Sequence, residues 1–173
     1  DGLMGFDSVD RMFGYGGSDG LFGEGGDDIL DAGAGDDYIN GGDGDDVMTG
    51  GLGNDGLFGE GGADIVDAGE GDDYVRGGDG DDVLTGGSGS DYLDGDSGSA
   101  TYVFGRGDGQ DIVAATAGAP GERDIVAFRD GITPDDVELN RAEGGNSLLV
   151  TLKGTDDRLT VRNYFSFDNG ADE

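Results

Sequence analysis

The sequence predicts an all-β fold, a parallel β-solenoid with two nine-residue units per coil and a β-rich C-terminal cap, and three observations carry it. Asp recurs at 1, 10, 19, 28, 37, 46, 55, 64, 73, 82 and 91, eleven positions each nine residues after the last, and the run stops at Ala100. Two residues after each Asp stands an apolar side chain: Leu3, Met12, Leu21, Leu30, Ile39, Met48, Leu57, Val66, Val75, Leu84 and Leu93, with Tyr102 in the same phase. Two residues before each Asp from Asp19 onward stands Gly, whereas Asp10 has Ser8 there. A unit this short cannot bury its apolar residue alone, so neighbouring units have to stack.

Each part of the unit has a physical role. Gly41 to Thr49 reads GGDGDDVMT and Gly77 to Thr85 reads GGDGDDVLT. Gly at positions 1, 2 and 4 lets the backbone turn sharply through positive φ. Three residues around a central apolar side chain form a short strand, that side chain inward and its neighbours outward. One unit is half a coil, and stacked coils give two parallel sheets over a thin core. A period of 36 overlies the nine: residues 15–50 and 51–86 share 27 identities in 36 pairs, which reads as duplication of four-unit blocks. The chain opens inside a unit, at its Asp, so it is read as a fragment with further repeats upstream.

Composition narrows the function. The net charge is −31, from 40 acidic and 9 basic residues, and Cys and His are both absent. No thiolate or imidazole metal site and no Ser-His-Asp arrangement is available. Such a surface repels phosphate backbones, so no nucleic-acid partner is expected. No apolar run is long enough for a transmembrane segment, and no basic leader opens the chain. The charge is concentrated: residues 1–103 carry net −24 and residues 104–173 net −7. Each position-6 Asp stacks on the Asp two units later, and carboxylates at strand spacing repel unless a cation lies between them. Carboxylates and turn carbonyls are hard oxygen ligands that suit Ca2+, with its flexible shell of about 6–8 oxygens, better than Mg2+. A disordered acidic linker would lack the apolar residue at fixed spacing.

The unit GGxGxDxUx over residues 1–103 resembles the RTX, or haemolysin-type, calcium-binding repeat. The resemblance implies a right-handed parallel β-roll that folds as Ca2+ binds, on secreted, extracellular or cell-surface proteins exported by a type I secretion system. It also implies ligands: the carboxylates of Asp19, Asp28, Asp37, Asp46, Asp55, Asp64, Asp73, Asp82 and Asp91, each site using two turns one full coil apart. The pairs are Asp19 with Asp37, Asp28 with Asp46, Asp37 with Asp55, Asp46 with Asp64, Asp55 with Asp73, Asp64 with Asp82 and Asp73 with Asp91, giving about seven ions or more. Carbonyls of Gly42, Gly44, Gly51, Gly53, Gly78, Gly80, Gly87 and Gly89 complete the shells. Asp10 with Asp28 is a poorer site, because Ser8 replaces Gly; Asp82 faces Ala100, so that site is expected to be lost.

Beyond Tyr102 glycine becomes sparse and strand-like stretches follow, the first at 102–104 and then at 125–128, 137–140, 148–152 and 159–161. Gly131 to Phe165 resembles the haemolysin-type calcium-binding-related segment that flanks many such arrays. Residues 104–173 are read as a capping and folding-nucleating element, with Tyr102, Phe104, Ile125, Val126, Phe128, Leu149, Val161, Tyr164 and Phe165 as its covering apolar set. Asp108 and Asp111, in GRGDGQDIV, read equally as a degenerate last turn holding Ca2+ or as solvated turn residues. The end DNGADE belongs to a secretion signal or marks a boundary.

Rival readings are poorer. GLGNDG at Gly51 formally matches a dinucleotide fingerprint, but the nine-residue period explains it. No nucleophile–base constellation supports an enzyme. An adhesive or ligand-binding domain using its outer sheet faces is the alternative. Outward Ile29, Val47, Ile65 and Val83 on one sheet and Tyr38, Tyr74 and Tyr92 on the other would serve it, or self-association. Ice binding is not expected, because turn position 3 carries no Thr ladder.

Overall fold

The computed structural model describes residues 1–114, 122–142 and 145–164. The fold is all-β, a parallel solenoid. Along the array the strands are β1 Gly2–Met4, β2 Arg11–Phe13, β3 Gly20–Gly25, β4 Ile29–Ala34, β5 Tyr38–Asp43, β6 Val47–Leu52, β7 Gly56–Gly61, β8 Ile65–Glu70, β9 Tyr74–Asp79, β10 Val83–Ser88, β11 Tyr92–Ser97 and β12 Thr101–Phe104. Then come β13 Gln110–Ala114, β14 Ile125–Phe128, a 3-10 turn Pro134–Asp136, β15 Val137–Arg141, β16 Leu148–Leu152 and β17 Arg158–Arg162. Odd strands through β13 join β17, β16 and β15 in a ten-stranded sheet, and the even strands β2 to β14 form a seven-stranded one. Among the described residues no helix is long and apolar enough to cross a membrane.

Array pairing is parallel, each strand on the strand two units later, as in Leu21↔Ile39 and Met48↔Val66. This offset fixes the core, because it stacks every inward position on its equivalent. Leu21, Leu30, Ile39, Leu57, Val75 and Leu84 are fully buried, and Met48, Val66, Leu93 and Tyr102 nearly so. Strands are longer than the three residues expected. Most run six residues, pairing at positions 7 to 9 and again at 2 and 3, so the turn's first half belongs to the sheet.

Beyond the array the coil length changes while stacking continues. Tyr92 pairs with Ile112, an offset of 20, and Tyr102 pairs with Val126, an offset of 24. The GRGDGQDIV stretch, read only as a turn, therefore ends in strand β13. β17 then pairs parallel with β13, and β16 and β15 return antiparallel. The inward residues of β16 are Val150 and Leu152 rather than Leu149, a one-residue shift that exchanges the faces of the strand. Tyr102, Phe104 and Val161 are buried as expected, but Ile125 and Tyr164 are exposed by more than half. Phe165 and the DNGADE end lie outside the described residues.

Candidate metal centre

The turn sets the geometry of the site. Position 4 is Gly in every turn from Gly17 to Gly98, with φ between 102° and 148°. A Cβ on Gly62 would overlap the carbonyl oxygen of Gly44 in the preceding coil. Position 2 is less strict. Tyr15, Glu24, Glu60 and Asp96 occupy it at φ 60–73°, in the left-handed region that non-glycine residues tolerate.

Sharp turns bring the position-6 carboxylates into two ladders, one at the entry to each sheet. Along both, the Asp side chain reaches back one coil: on one the Asp46 N–H donates to Asp64 Oδ1 at 2.9 Å, and on the other the Asp37 N–H donates to Asp55 Oδ1 at 2.8 Å. All seven expected pairs, and Asp10 with Asp28, share this bond at 2.7–3.0 Å. Oδ1 is thereby satisfied. Oδ2 is not: in Asp19, Asp28, Asp37, Asp46, Asp55, Asp64, Asp73, Asp82 and Asp91 it is buried without a hydrogen-bond partner. Asp10 differs, since its Oδ2 accepts the Phe6 N–H at 3.0 Å.

Nine orphaned buried oxygens call for a counter-charge. Burial, opposed by the Asp28 N–H and reinforced by the charges of Asp28, Asp27 and Asp45, pushes the Asp46 carboxyl up to about 6. Burial likewise carries Asp64 and Asp73 to about 7 and Asp91 to about 6. The surroundings of each Oδ2 are oxygen-rich. A Cβ built on Gly59 would overlap both Asp64 Oδ2 and the Gly77 carbonyl oxygen of the next coil. The missing side chain leaves a cradle lined by a carboxylate and a main-chain carbonyl. Position-1 carbonyls such as Gly41, Gly59 and Gly77 were not among the ligands expected. Of those that were, the carbonyls of Gly44, Gly51, Gly53, Gly80 and Gly89 face the glycine of the following coil. Among the described residues no three acidic side chains converge on one point, so carbonyl oxygens have to complete any shell. The donor set fits a hard divalent cation of flexible geometry.

The structure adds residues that the period does not mark. Ala100 donates its N–H to Asp124 Oδ1 at 3.0 Å, so Asp124 resumes the ladder in the following, longer coil. The signal was present: Asp-Ile-Val at Asp124 repeats Asp-Ile-Val at Asp64 and Asp111. Beside Gly95, where other turns hold Asp Oδ2, the Tyr102 hydroxyl accepts the Gly95 N–H at 3.0 Å. Position 5 makes a second, exposed row running the opposite way, with Asp45 Oδ1 accepting the Ala63 N–H and Asp72 Oδ1 the Ser90 N–H. Asp108 and Asp111 are both buried rather than solvated. Asp111 Oδ1 accepts the Asp91 N–H at 3.1 Å, continuing the ladder, and burial pushes its carboxyl up to about 8. Asp108 is held instead by Arg129 and the Gly105 N–H.

Comparison with known proteins agrees with this geometry. The RTX calcium-binding nonapeptide repeat (4 copies) matches at residues 4–39, 22–57, 31–66, 40–75 and 67–102, which together run over more than half of the chain. The iron-regulated protein FrpA of Neisseria meningitidis serogroup C is 44% identical over 71 residues, 41% of this chain and 6% of that protein. The match thus spans a small part of a much longer relative. With the strict nine-residue unit, the two-unit coils and the two carboxylate ladders, the chain belongs to the RTX calcium-binding nonapeptide repeat family.

Proposed function

We propose that this chain is a Ca2+-folded module whose repeat array stays unfolded at cytosolic Ca2+ and folds after export by a type I secretion system. It serves as the C-terminal folding and secretion part of a larger extracellular toxin, enzyme or adhesin. The observation that carries this reading is the set of nine buried, partnerless Oδ2 atoms. In this reading the ligands are the carboxylates from Asp19 to Asp91, with Asp10 at the N-terminal end, and turn carbonyls including Gly44, Gly53, Gly80 and Gly89. Residues 1–103 are the responsive array and residues 104–173 its cap. Seven Ca2+ ions would reduce the array's net −24 to about −10. A site held at ten times its Kd adds about 1.4 kcal/mol to the folded state, so several sites together match the stability of a domain. Extracellular modules bind at about 10⁻⁴–10⁻³ M, above cytosolic levels, which makes the transition follow export.

The test is circular dichroism of the chain titrated with Ca2+ and, separately, with Mg2+. A cooperative gain of β signal with Ca2+ alone is expected. A full β spectrum in excess chelator sinks the reading.

A further inference from the structure

A stack of coils has an end problem. Inside the array each turn is completed by the next coil: the position-4 N–H of Gly71 donates to Ser88 O, that of Gly80 to Ser97 O, and that of Gly89 to Asp108 O. The turn holding Gly105 to Asp111 is the last regular turn on its side, and two side chains from the following strands stand where a further coil would be. Asp157, at the β16–β17 turn, accepts the Gly109 N–H on Oδ1 and the Gly107 N–H on Oδ2, both at 3.0 Å. Gly109 is the position-4 residue here, since it bridges Gly89 at position 4 of the coil before. One carboxylate thus replaces the carbonyl acceptor that another coil would give.

The second replacement concerns charge. Asp108 is 2% exposed, yet neither of its oxygens is orphaned. Its Oδ2 accepts the Gly105 N–H at 2.7 Å, and Arg129 Nη1 lies 2.6 Å from its Oδ1. Gly105 makes this possible, because a Cβ there would fall 2.7 Å from Arg129 Cδ. The Arg129 N–H also donates to Phe104 O, which anchors the residue at the end of β14 beside this turn.

We propose that Arg129 and Asp157 close the C-terminal turn without metal. Arg129 is a tethered cation for the buried Asp108 carboxylate, and Asp157 is a substitute acceptor for the turn's N–H groups. The end of the roll is then held in place before the ladders bind Ca2+. This rests on the reading of the ladders as calcium sites and gives them a fixed end. Arg129 and Asp157 are positioning residues, not ligands.

The test is amide hydrogen exchange of the whole chain in excess chelator and in saturating Ca2+. In chelator the amides of Gly107 and Gly109, with those of β13 and β17, are expected to be protected at least tenfold more than the array amides of Asp46, Asp55 and Asp64. Arg129→Gln and Asp157→Asn should each abolish that protection and raise the Ca2+ midpoint at least threefold, with Arg129→Lys recovering part of it. Equal, negligible protection of cap and array in chelator overturns the proposal whatever the variants do. So does an Arg129→Gln chain with unchanged protection and midpoint. Failure of the calcium reading looks different, because then Ca2+ protects no array amide in any variant.

Discussion

The ring of Phe58 lies over Gly56 in its own strand, so close that a Cβ on Gly56 would touch Phe58 Cε2 at 3.4 Å. Phe22 covers Gly20 in the same way. These pairs explain the 36-residue period on the ten-stranded sheet. From β3 to β9, coils with Tyr at position 7 alternate with coils that carry Gly there and Phe at position 9, and Tyr92 adds a second consecutive Tyr at β11. One ring per coil results: Phe22, Tyr38, Phe58, Tyr74 and Tyr92, with centroids 5.1–5.7 Å apart and the Arg162 guanidinium 5.8 Å above Tyr92. Rings filling the space left by glycine hold the register of adjacent coils. Phe58→Ala removes two ring contacts and should destabilise the Ca2+-loaded roll by about 1–3 kcal/mol, at roughly 0.5–1.5 kcal/mol per pair. Urea unfolding at saturating Ca2+ checks this, and an unchanged midpoint would show that the column is decoration.

Asp64→Asn keeps an acceptor for the Asp46 N–H but removes the charge whose Oδ2 is orphaned. Isothermal titration should lose at least one Ca2+, and the folding midpoint should rise several-fold, a tenfold rise corresponding to about 1.4 kcal/mol. Asp10→Asn is the comparison, because Asp10 Oδ2 already has the Phe6 N–H. Its effect should be smaller. Equal effects would contradict the assignment of the orphaned oxygens as ligands.

The array could be read from sequence because one spacing repeats: the Asp, Gly and apolar phases each fix a ladder, a turn and the core. Legibility ended where the coil length changed. With offsets of 20 and 24, Asp111 and Asp124 fall out of phase, although both begin the same Asp-Ile-Val. Arg129 and Asp157 are tertiary partners of a turn far from them in sequence, and no local pattern marks them. The aromatic column was half visible. Tyr38, Tyr74 and Tyr92 share a repeat position, but Phe22 and Phe58 enter the stack from another.

Protons and Ca2+ should compete for the ladders. Folded-state carboxyls of Asp46 and Asp91 near 6, and of Asp64 and Asp73 near 7, lie above the ordinary 3.8, chiefly through burial. A raised carboxyl makes the folded form bind protons more tightly than the unfolded chain. Its contribution to the metal-free roll is therefore present below about pH 4 and is lost as pH rises through 6 to 7. Circular dichroism in chelator should show more β structure at pH 5 than at pH 8. Ca2+ added near pH 5, where these carboxyls hold protons in the metal-free roll, should release them, read from titrations in buffers of different ionisation enthalpy. Proton uptake on binding would reverse the sign and contradict the burial of these carboxyls.

Gly61 and Gly62 make a matched pair for testing how tightly the turns stack. Gly62, at position 4, has φ 133°, and a Cβ on it would overlap the Gly44 carbonyl. Gly61 has no positive φ, and the nearest atom to its Cβ would be Asp43 Oδ1 at 3.7 Å, an ordinary contact. Gly62→Ala should cost about 1–3 kcal/mol from backbone conformation alone, with the overlap in addition. It should also weaken Ca2+ binding, because the Gly44 carbonyl has to move away from the coil above. Gly61→Ala should change stability by less than about 0.5 kcal/mol. Denaturant unfolding with Ca2+ present measures both, and similar costs at the two positions would mean that the coils can separate without strain.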